Sequence, residues 1–283
     1  MKNQNNVLRG KEGFEEYYKN LYSNRWDDLL KTFPLNNNPV EYKVPGSQKS
    51  YFLDIASVYA ALALPLSGAE NILDMCAAPG GKSLVLASRM EKQSILSSNE
   101  RSPDRKRRLD ASINECLPPE ISQRVKTSCS DASTWCKRQS EAFDCILLDA
   151  PCSSERHVYL DEKYLSQWSP SRIKSLAIEQ WALLSSAYRL LLPGGYLLYS
   201  TCALADAEND LLVERLIKKF LKNGNEFSFK EPKFPVEEIE NFTKVEELKI
   251  EKTKYGYQIL PDVNNGAGPI YFCLIRKEVS LMA

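Results

Sequence analysis

The sequence predicts an α/β protein: a mostly parallel sheet with helices on both faces, preceded by a small helical extension. Three observations point to that class. Asn71–Ser88, NILDMCAAPGGKSLVLAS, reads as strand, tight turn and helix, with an apolar run ending near Asp74 and Leu84, Val85 and Ala87 at helical spacing from Lys82. Three further short strands, at 94–99, 124–130 and 143–148, are delivered to acids in the same way, Glu100, Asp131 and Asp149. Strands alternating with helices and ending in acids predict a parallel sheet with a ligand crevice at its carboxyl edge. Finally, 283 residues with 43% hydrophobic content can bury a full α/β core.

Composition narrows the class further. No apolar run approaches the roughly 18 residues a membrane span needs, and early acids, Glu12, Glu15 and Glu16, do not suit a secretory or transit leader. A cytoplasmic protein is expected, with no membrane partner. Eight cysteines include no CxxC pair, and His157 is the lone histidine, so neither a disulfide framework nor a metal site is expected. The 37 basic and 37 acidic residues cancel, so nucleic-acid binding must rest on a local patch.

Along the chain, residues 11–33 place Phe14, Tyr17, Tyr18, Leu21, Tyr22, Leu29 and Leu30 near a helical period. One or two amphipathic helices follow. Their aromatics either stack on RNA bases or cap the core. Pro34, Asn36–Asn38, Pro39 and Pro45 make 34–50 a loop or linker, so residues 1–50 read as a helical extension. Tyr51–Leu64 reads as a buried helix, apolar nearly all round. In the opening turn Gly80 and Gly81 let the backbone approach a ligand beside the free N–H groups of a new helix. The turn matches neither GxGxxG nor GxxxxGK[ST].

Glu100 suits ribose hydroxyls or a helix cap. Beyond it, Arg105-Lys106-Arg107-Arg108 is a solvated helix face or a phosphate-contacting patch. The fourth strand runs into Pro151-Cys152, leaving a thiol either at the ligand edge or buried as structure. His157 suits a loop contact to substrate or solvent better than a base. Ser171–Leu192 is a long helix ended by Pro193-Gly194-Gly195, and Tyr196–Thr201 is a fifth strand that delivers Cys202 to the same edge as Cys152. Asp206–Phe220 is helical, 223–258 carries no assignable pattern, and Gly268–Arg276 is a late, antiparallel strand.

Three stretches together, LDMCAAPGGK (73–82), LLDAPCSSERH (147–157) and PGGYLLYSTCALADAEN (193–209), resemble the S-adenosylmethionine-dependent RNA (cytosine-5)-methyltransferases, the Sun-domain and bacterial ribosomal-RNA enzymes. The resemblance spans about Tyr51 to Lys277, and the layout looks closest to the small ribosomal-RNA members. It implies a Rossmann-like class I methyltransferase domain over 51–283 with seven strands, the last pair including an antiparallel one. Carried over by motif, Cys76, Ala77, Ala78, Pro79, Gly80, Gly81 and Lys82 form the loop at the methionine end of the cofactor. Glu100 faces the ribose, Arg105 lies beside it, Asp131 and Ala132 sit near the adenine, and Asp149 heads the catalytic loop. Two departures stand out: the family's acid at 100 is usually Asp, and the residue after Asp131 is often Gly.

The chemistry that the resemblance implies needs two thiols. Cytosine C5 is a poor nucleophile until a thiolate adds to C6. Cys202, the cysteine of the TC pair, is the implied nucleophile, Asp149 holds the N3 and amino edge, and Cys152 serves the release step. Lys82 would help hold substrate and lower the nucleophile's pKa. The target base must be single-stranded, looped or flipped. The expected RNA surface is Arg101, Lys106, Arg107 and Arg108, with Arg156, His157 and the N-terminal helices. Ribosomal RNA or an assembling subunit is the expected partner of a monomer, with an accessory RNA-binding protein as an option. A tRNA enzyme and a non-catalytic ribosome-assembly factor are the alternatives. No Glu-Asn-Val of a DNA enzyme and no Pro-Pro-Tyr of an amino methyltransferase is present.

Overall fold

A computed structural model describes residues 9–35, 39–223, 226–235 and 247–279. The chain forms α1 (Gly10–Tyr22), α2 (Trp26–Thr32), β1 (Val40–Tyr42), β2 (Tyr51–Leu53), α3 (Ile55–Leu62), β3 (Asn71–Asp74), α4 (Gly81–Arg89), β4 (Ile95–Glu100), α5 (Pro103–Cys116), α6 (Pro119–Ser122) and β5 (Val125–Cys129). It continues through β6 (Phe143–Asp149), α7 (Glu155–Leu160), α8 (Glu162–Ser166), α9 (Pro170–Leu190), β7 (Leu191–Thr201), α10 (Asp210–Phe220), β8 (Phe227–Phe229), β9 (Glu251–Lys252), β10 (Tyr257–Ile259) and β11 (Ile270–Lys277). The central sheet runs β5-β4-β3-β6-β7-β11-β10-β9, with β8 also paired to β11. Its first five strands are parallel, and β11 joins β7 antiparallel as the sequence predicts.

Alternation along each strand builds two cores. Ile72, Cys145, Leu147, Leu198, Phe272 and Leu274 face the side covered by α3, α4 and α5, whereas Leu73, Ile146, Leu148, Leu197, Tyr199 and Ile275 face α9 and α10. Both sets are buried, so these strands read in sequence as continuous apolar runs. A third cluster packs Phe14, Tyr18, Trp26 and Phe33 of the N-terminal helices against Val158, Trp168, Ile173 and Leu204, beside the loops that carry the cysteines.

Several expectations are corrected. The sheet has nine strands among the described residues rather than the seven that the resemblance implies: the six read along the chain are joined by β8, β9 and β10, from within or at the end of the segment left unassigned. Tyr51–Leu53 is a strand paired with β1, and the helix begins only after Asp54, whose side chain accepts the Ala56 N–H at 2.8 Å. Pro193-Gly194-Gly195 lies inside β7 rather than ending α9, at the irregularity where the β6 register shifts between Phe143 and Cys145. A Cβ at Gly195 would meet the Asp144 carbonyl at 2.6 Å, so the close approach of the two strands requires glycine. Helix α10 is preceded by a separate short turn, Asp206–Glu208. The Asn36–Asn38 part of the expected loop and residues 236–246 lie outside the described residues.

Candidate active site

Adjacent parallel strands β6 and β7 pair Asp149 with Ser200, so the chain leaves both strands at one edge. Ser200 Oγ donates to Asp149 Oδ1 at 2.9 Å. Lys82 Nζ, delivered by the first turn of α4, donates to Asp149 Oδ2 at 2.8 Å and to Ser57 Oγ at 3.3 Å. Burial works to lower the pKa of Lys82, but the Asp149 carboxylate outweighs it and raises the pKa overall. Lys82 is a fixed ammonium here, paired with Asp149.

The thiols stand just past the two strands, Cys152 three residues after Asp149 and Cys202 directly after Thr201. Cys152 Sγ and Cys202 Sγ are 3.0 Å apart, and both cysteines are free. Within this pair the hydrogen bond from Cys152 lowers the pKa of Cys202 against the effect of burial, while the same bond, with burial, raises that of Cys152. The pair is therefore asymmetric, with Cys202 the sulfur on which negative charge is less opposed.

Two buried carboxyl groups that sequence reading did not single out hold these loops. Glu155 Oε1 accepts from Tyr18 Oη and Ser153 Oγ, and its Oε2 accepts the Leu204 N–H at 3.0 Å. Glu208 Oε2 accepts the Ser153 N–H at 3.0 Å and Gln180 Nε2 at 2.7 Å. These partners are neutral, and burial pushes both groups up, Glu208 to about 7. Ser153 thus ties the Cys152 loop to both carboxyls, and Glu155 ties it to the Cys202 loop and to α1. The signal was present, since both acids lie inside the motif stretches. Nothing in spacing shows that they converge.

The site opens into a cavity of about 320 Å³ lined by Lys82, Asp149, Cys152 and Cys202 and, beyond them, by Cys76, Glu100, Arg105, Asp131 and Ala132. A smaller cavity of about 160 Å³ shares Cys76, Lys82 and Asp149 and is walled by Ala77, Ala78, Pro79 and Gly81. Gly80 lies behind that wall at φ 121, where a Cβ would meet Ser112 Cβ at 2.8 Å. Glu100 is buried: one oxygen accepts the Ser102 N–H at 2.9 Å, and the other faces Arg105 Nη1 at 3.2 Å without a hydrogen bond. That leaves acceptor capacity suited to a diol. Arg105 also donates to the Ala78 carbonyl at 2.7 Å, bridging the two cavity walls. Asp131 caps the turn after β5 by accepting the Ser133 N–H at 3.0 Å.

The expected RNA surface divides. Arg101 sits at the cavity rim, paired with Glu179 at 2.8 Å, while Arg107 and Arg108 are exposed on α5. Lys106 pairs with Asp110 at 2.7 Å and Arg107 with Asp104. His157 is exposed, its ring 5.5 Å from that of Tyr164. Arg156 departs from the expectation, because its guanidinium donates to the carbonyls of Phe33, Leu35, Gly266 and Gly268 and so clamps the N-terminal helices to the approach to β11. The large aromatics of α1 and α2 are likewise committed to the core: Phe14, Tyr18 and Trp26 are buried.

Comparison with known proteins gives a consistent picture. The family model described as 16S rRNA methyltransferase RsmB/F matches residues 61–274. The chain is 31% identical over 236 residues to the 5-cytosine rRNA methyltransferase NSUN4 of Bos taurus, a match covering 81% of this chain and 59% of that protein. It is 38% identical over 173 residues to the Ribosomal RNA small subunit methyltransferase F of Aeromonas salmonicida, covering 61% of this chain and 35% of that one. The chain thus spans less than two thirds of the length of these relatives. Among solved structures, NSun6 from Pyrococcus horikoshii with SFG superposes with a TM-score of 0.64 at 24% identity, over 83% of this chain and 55% of that one. A methyltransferase homolog protein from the same organism gives 0.67 at 21%, over 93% of each chain. At those identities the structural matches bear on the fold.

Proposed function

The chain belongs to the RsmB/F family of 16S rRNA methyltransferases, and from that premise we propose that it methylates carbon 5 of a cytosine in ribosomal RNA. The single observation that carries the reading is the pair of thiols 3.0 Å apart beside an Asp149–Lys82 ion pair at 2.8 Å, all lining one cavity.

The cavity fits S-adenosylmethionine. Glu100 offers the ribose a carboxylate with spare acceptor capacity, Asp131 and Ala132 line the part suited to the adenine, and Cys76–Lys82 wall the methionine end. Bound there, S-adenosylmethionine would supply an electrophilic methyl group. Everything else falls to the protein. Cys202, the sulfur on which negative charge is less opposed, adds to C6 of the cytosine and raises electron density at C5. Asp149 lies beside it to hold the N3 and amino edge of the ring, oriented by Ser200 and Lys82. Lys82 holds the carboxylate in place and adds positive charge near the nucleophile. Release requires loss of the C5 proton and cleavage of the C6–S bond, and Cys152, in contact with the departing sulfur, serves that step. A base stacked in a duplex cannot bring C6 to a thiol at the foot of this cavity, so the target is looped, single-stranded or flipped. Arg101 at the rim and the exposed Arg107 and Arg108 suit phosphate contacts on the way in.

Sequencing of 5-methylcytosine in RNA from cells with and without the protein tests this reading. One cytosine of ribosomal RNA losing its mark in the deletion is expected. A lost mark in tRNA alone, or none in any RNA, would overturn the ribosomal assignment or the enzymatic one respectively.

A further inference from the structure

The chemistry above leaves one group in the site without a part. Ser154 Oγ lies 3.3 Å from Cys202 Sγ and 3.5 Å from Cys152 Sγ, so a single hydroxyl touches both sulfurs. Its backbone sits at φ 53 and ψ 57, the left-handed region that disfavours any residue with a Cβ and suits glycine. Although Ser154 precedes α7, its side chain makes no capping hydrogen bond there. A serine is therefore kept at a strained position with its hydroxyl spent on the thiols rather than on the helix.

We propose that Ser154 is a further catalytic residue whose O–H donates to Cys202 Sγ and stabilises that sulfur as the thiolate, both before it adds to C6 and as it leaves. The hydroxyl has one proton and three acceptors in reach: the two sulfurs and the Cys152 carbonyl at 3.4 Å. A charged acceptor forms the stronger bond, so ionisation of Cys202 draws the proton to itself. With the Cys152 S–H, the thiolate then has two donors. During addition a sulfur lone pair forms the S–C6 bond and the negative charge passes to the ring. During release the C5–H pair re-forms the C5–C6 double bond, the S–C6 pair returns to Cys202, and the C5 proton is taken up by solvent water in the open cavity, not by Ser154. Ser154 neither gains nor loses a proton in either direction.

The surroundings make such a donor useful. Lys82 from α4 favours charge on Cys202, whereas Asp149 at the end of β6 and Glu155 at the start of α7 oppose it, and Glu208 opposes charge on Cys152. Ser154 acts with Lys82 against two carboxyl groups and burial. The lowering of the Cys202 pKa includes a contribution from this hydroxyl.

The proposal rests on the methyltransferase reading for the role of Cys202, but the ionisation of that thiol can be measured without RNA. Alkylation of Cys202 by iodoacetamide is followed by peptide mass between pH 6 and 10 in the full chain, in Ser154→Ala and in Ser154→Gly. Both variants lack the hydroxyl, but glycine relieves the backbone strain and alanine does not. The expected result is the same in both: the alkylation midpoint moves up by about one pH unit, and the rate at neutral pH falls about tenfold. Rates converge with the unaltered protein at the alkaline end, while the exposed Cys129 is alkylated equally in all three. An unmoved midpoint in both, or a shift in alanine alone, would overturn the proposal. A shifted midpoint in a protein that transfers no methyl group would instead overturn the enzymatic reading and leave the Ser154 contact standing.

Discussion

Glu208 shows how much of this site depends on single residues placed out of water. Its carboxyl is fully buried among neutral donors, so burial pushes it up to about 7 from a usual value near 4.5. The folded state then holds a proton that the unfolded chain has lost between those values. The stabilisation is fully present below about pH 4.5 and is lost as pH rises through about 7, with a slope of at most about 1.4 kcal/mol per pH unit. Asp74, raised to about 7 by burial, adds a slope of the same sign. Urea unfolding between pH 5 and 7.5 should therefore show stability falling as pH rises, and Glu208→Gln should flatten the curve. Parallel curves for the two proteins would refute the assignment. At this scale the sequence was informative where chemistry is local. Cys152 and Cys202 stand out because each follows an apolar strand, whereas Glu155, Glu208 and Ser154 acquire their parts only when two loops 50 residues apart meet.

At the scale of elements, the turn between β3 and α4 is the most legible feature and the most demanding. Strand, glycine turn and helix were readable from Asn71–Ser88, because the hydrophobic period changes there from a run to a helical stripe. The φ of 121 at Gly80 and its contact with Ser112 explain why that residue is glycine even though it faces neither cavity. Gly80→Ala should cost on the order of 1–3 kcal/mol through backbone strain and collision with α5. It should also weaken S-adenosylmethionine binding, because the wall at Ala78 and Gly81 moves with it. Thermal melting and a cofactor titration check both effects, and an unchanged melting temperature with unchanged affinity would disprove the account of the turn. Less legible was Tyr51–Leu64, where continuous apolarity does not separate strand from helix and Asp54, the capping residue, was the overlooked signal. Strands β8 and β9 are two or three residues long and take their pairing from β11 and β10, so no local pattern announces them.

Over the whole molecule, the sequence foresaw a parallel sheet closed by an antiparallel strand, with its chemistry at the carboxyl edge. What it read differently was the role of Arg156, which looks like an RNA contact and instead spans from Phe33 to Gly268. Of the two readings open for the N-terminal aromatics, Phe14 and Tyr18 take the core-capping one, with Trp26 beside them in the third core. Through Tyr18 and Glu155 the N-terminal helices reach the loops of both cysteines. The central claim is that those two cysteines divide the work of one covalent cycle. Its most direct test is to incubate Cys152→Ala and Cys202→Ala with RNA and S-adenosylmethionine and to look for a covalent protein–RNA adduct. The account predicts that the Cys152 variant accumulates the adduct and that the Cys202 variant forms none and transfers no methyl group. Methylation of cytosine by Cys202→Ala would contradict it.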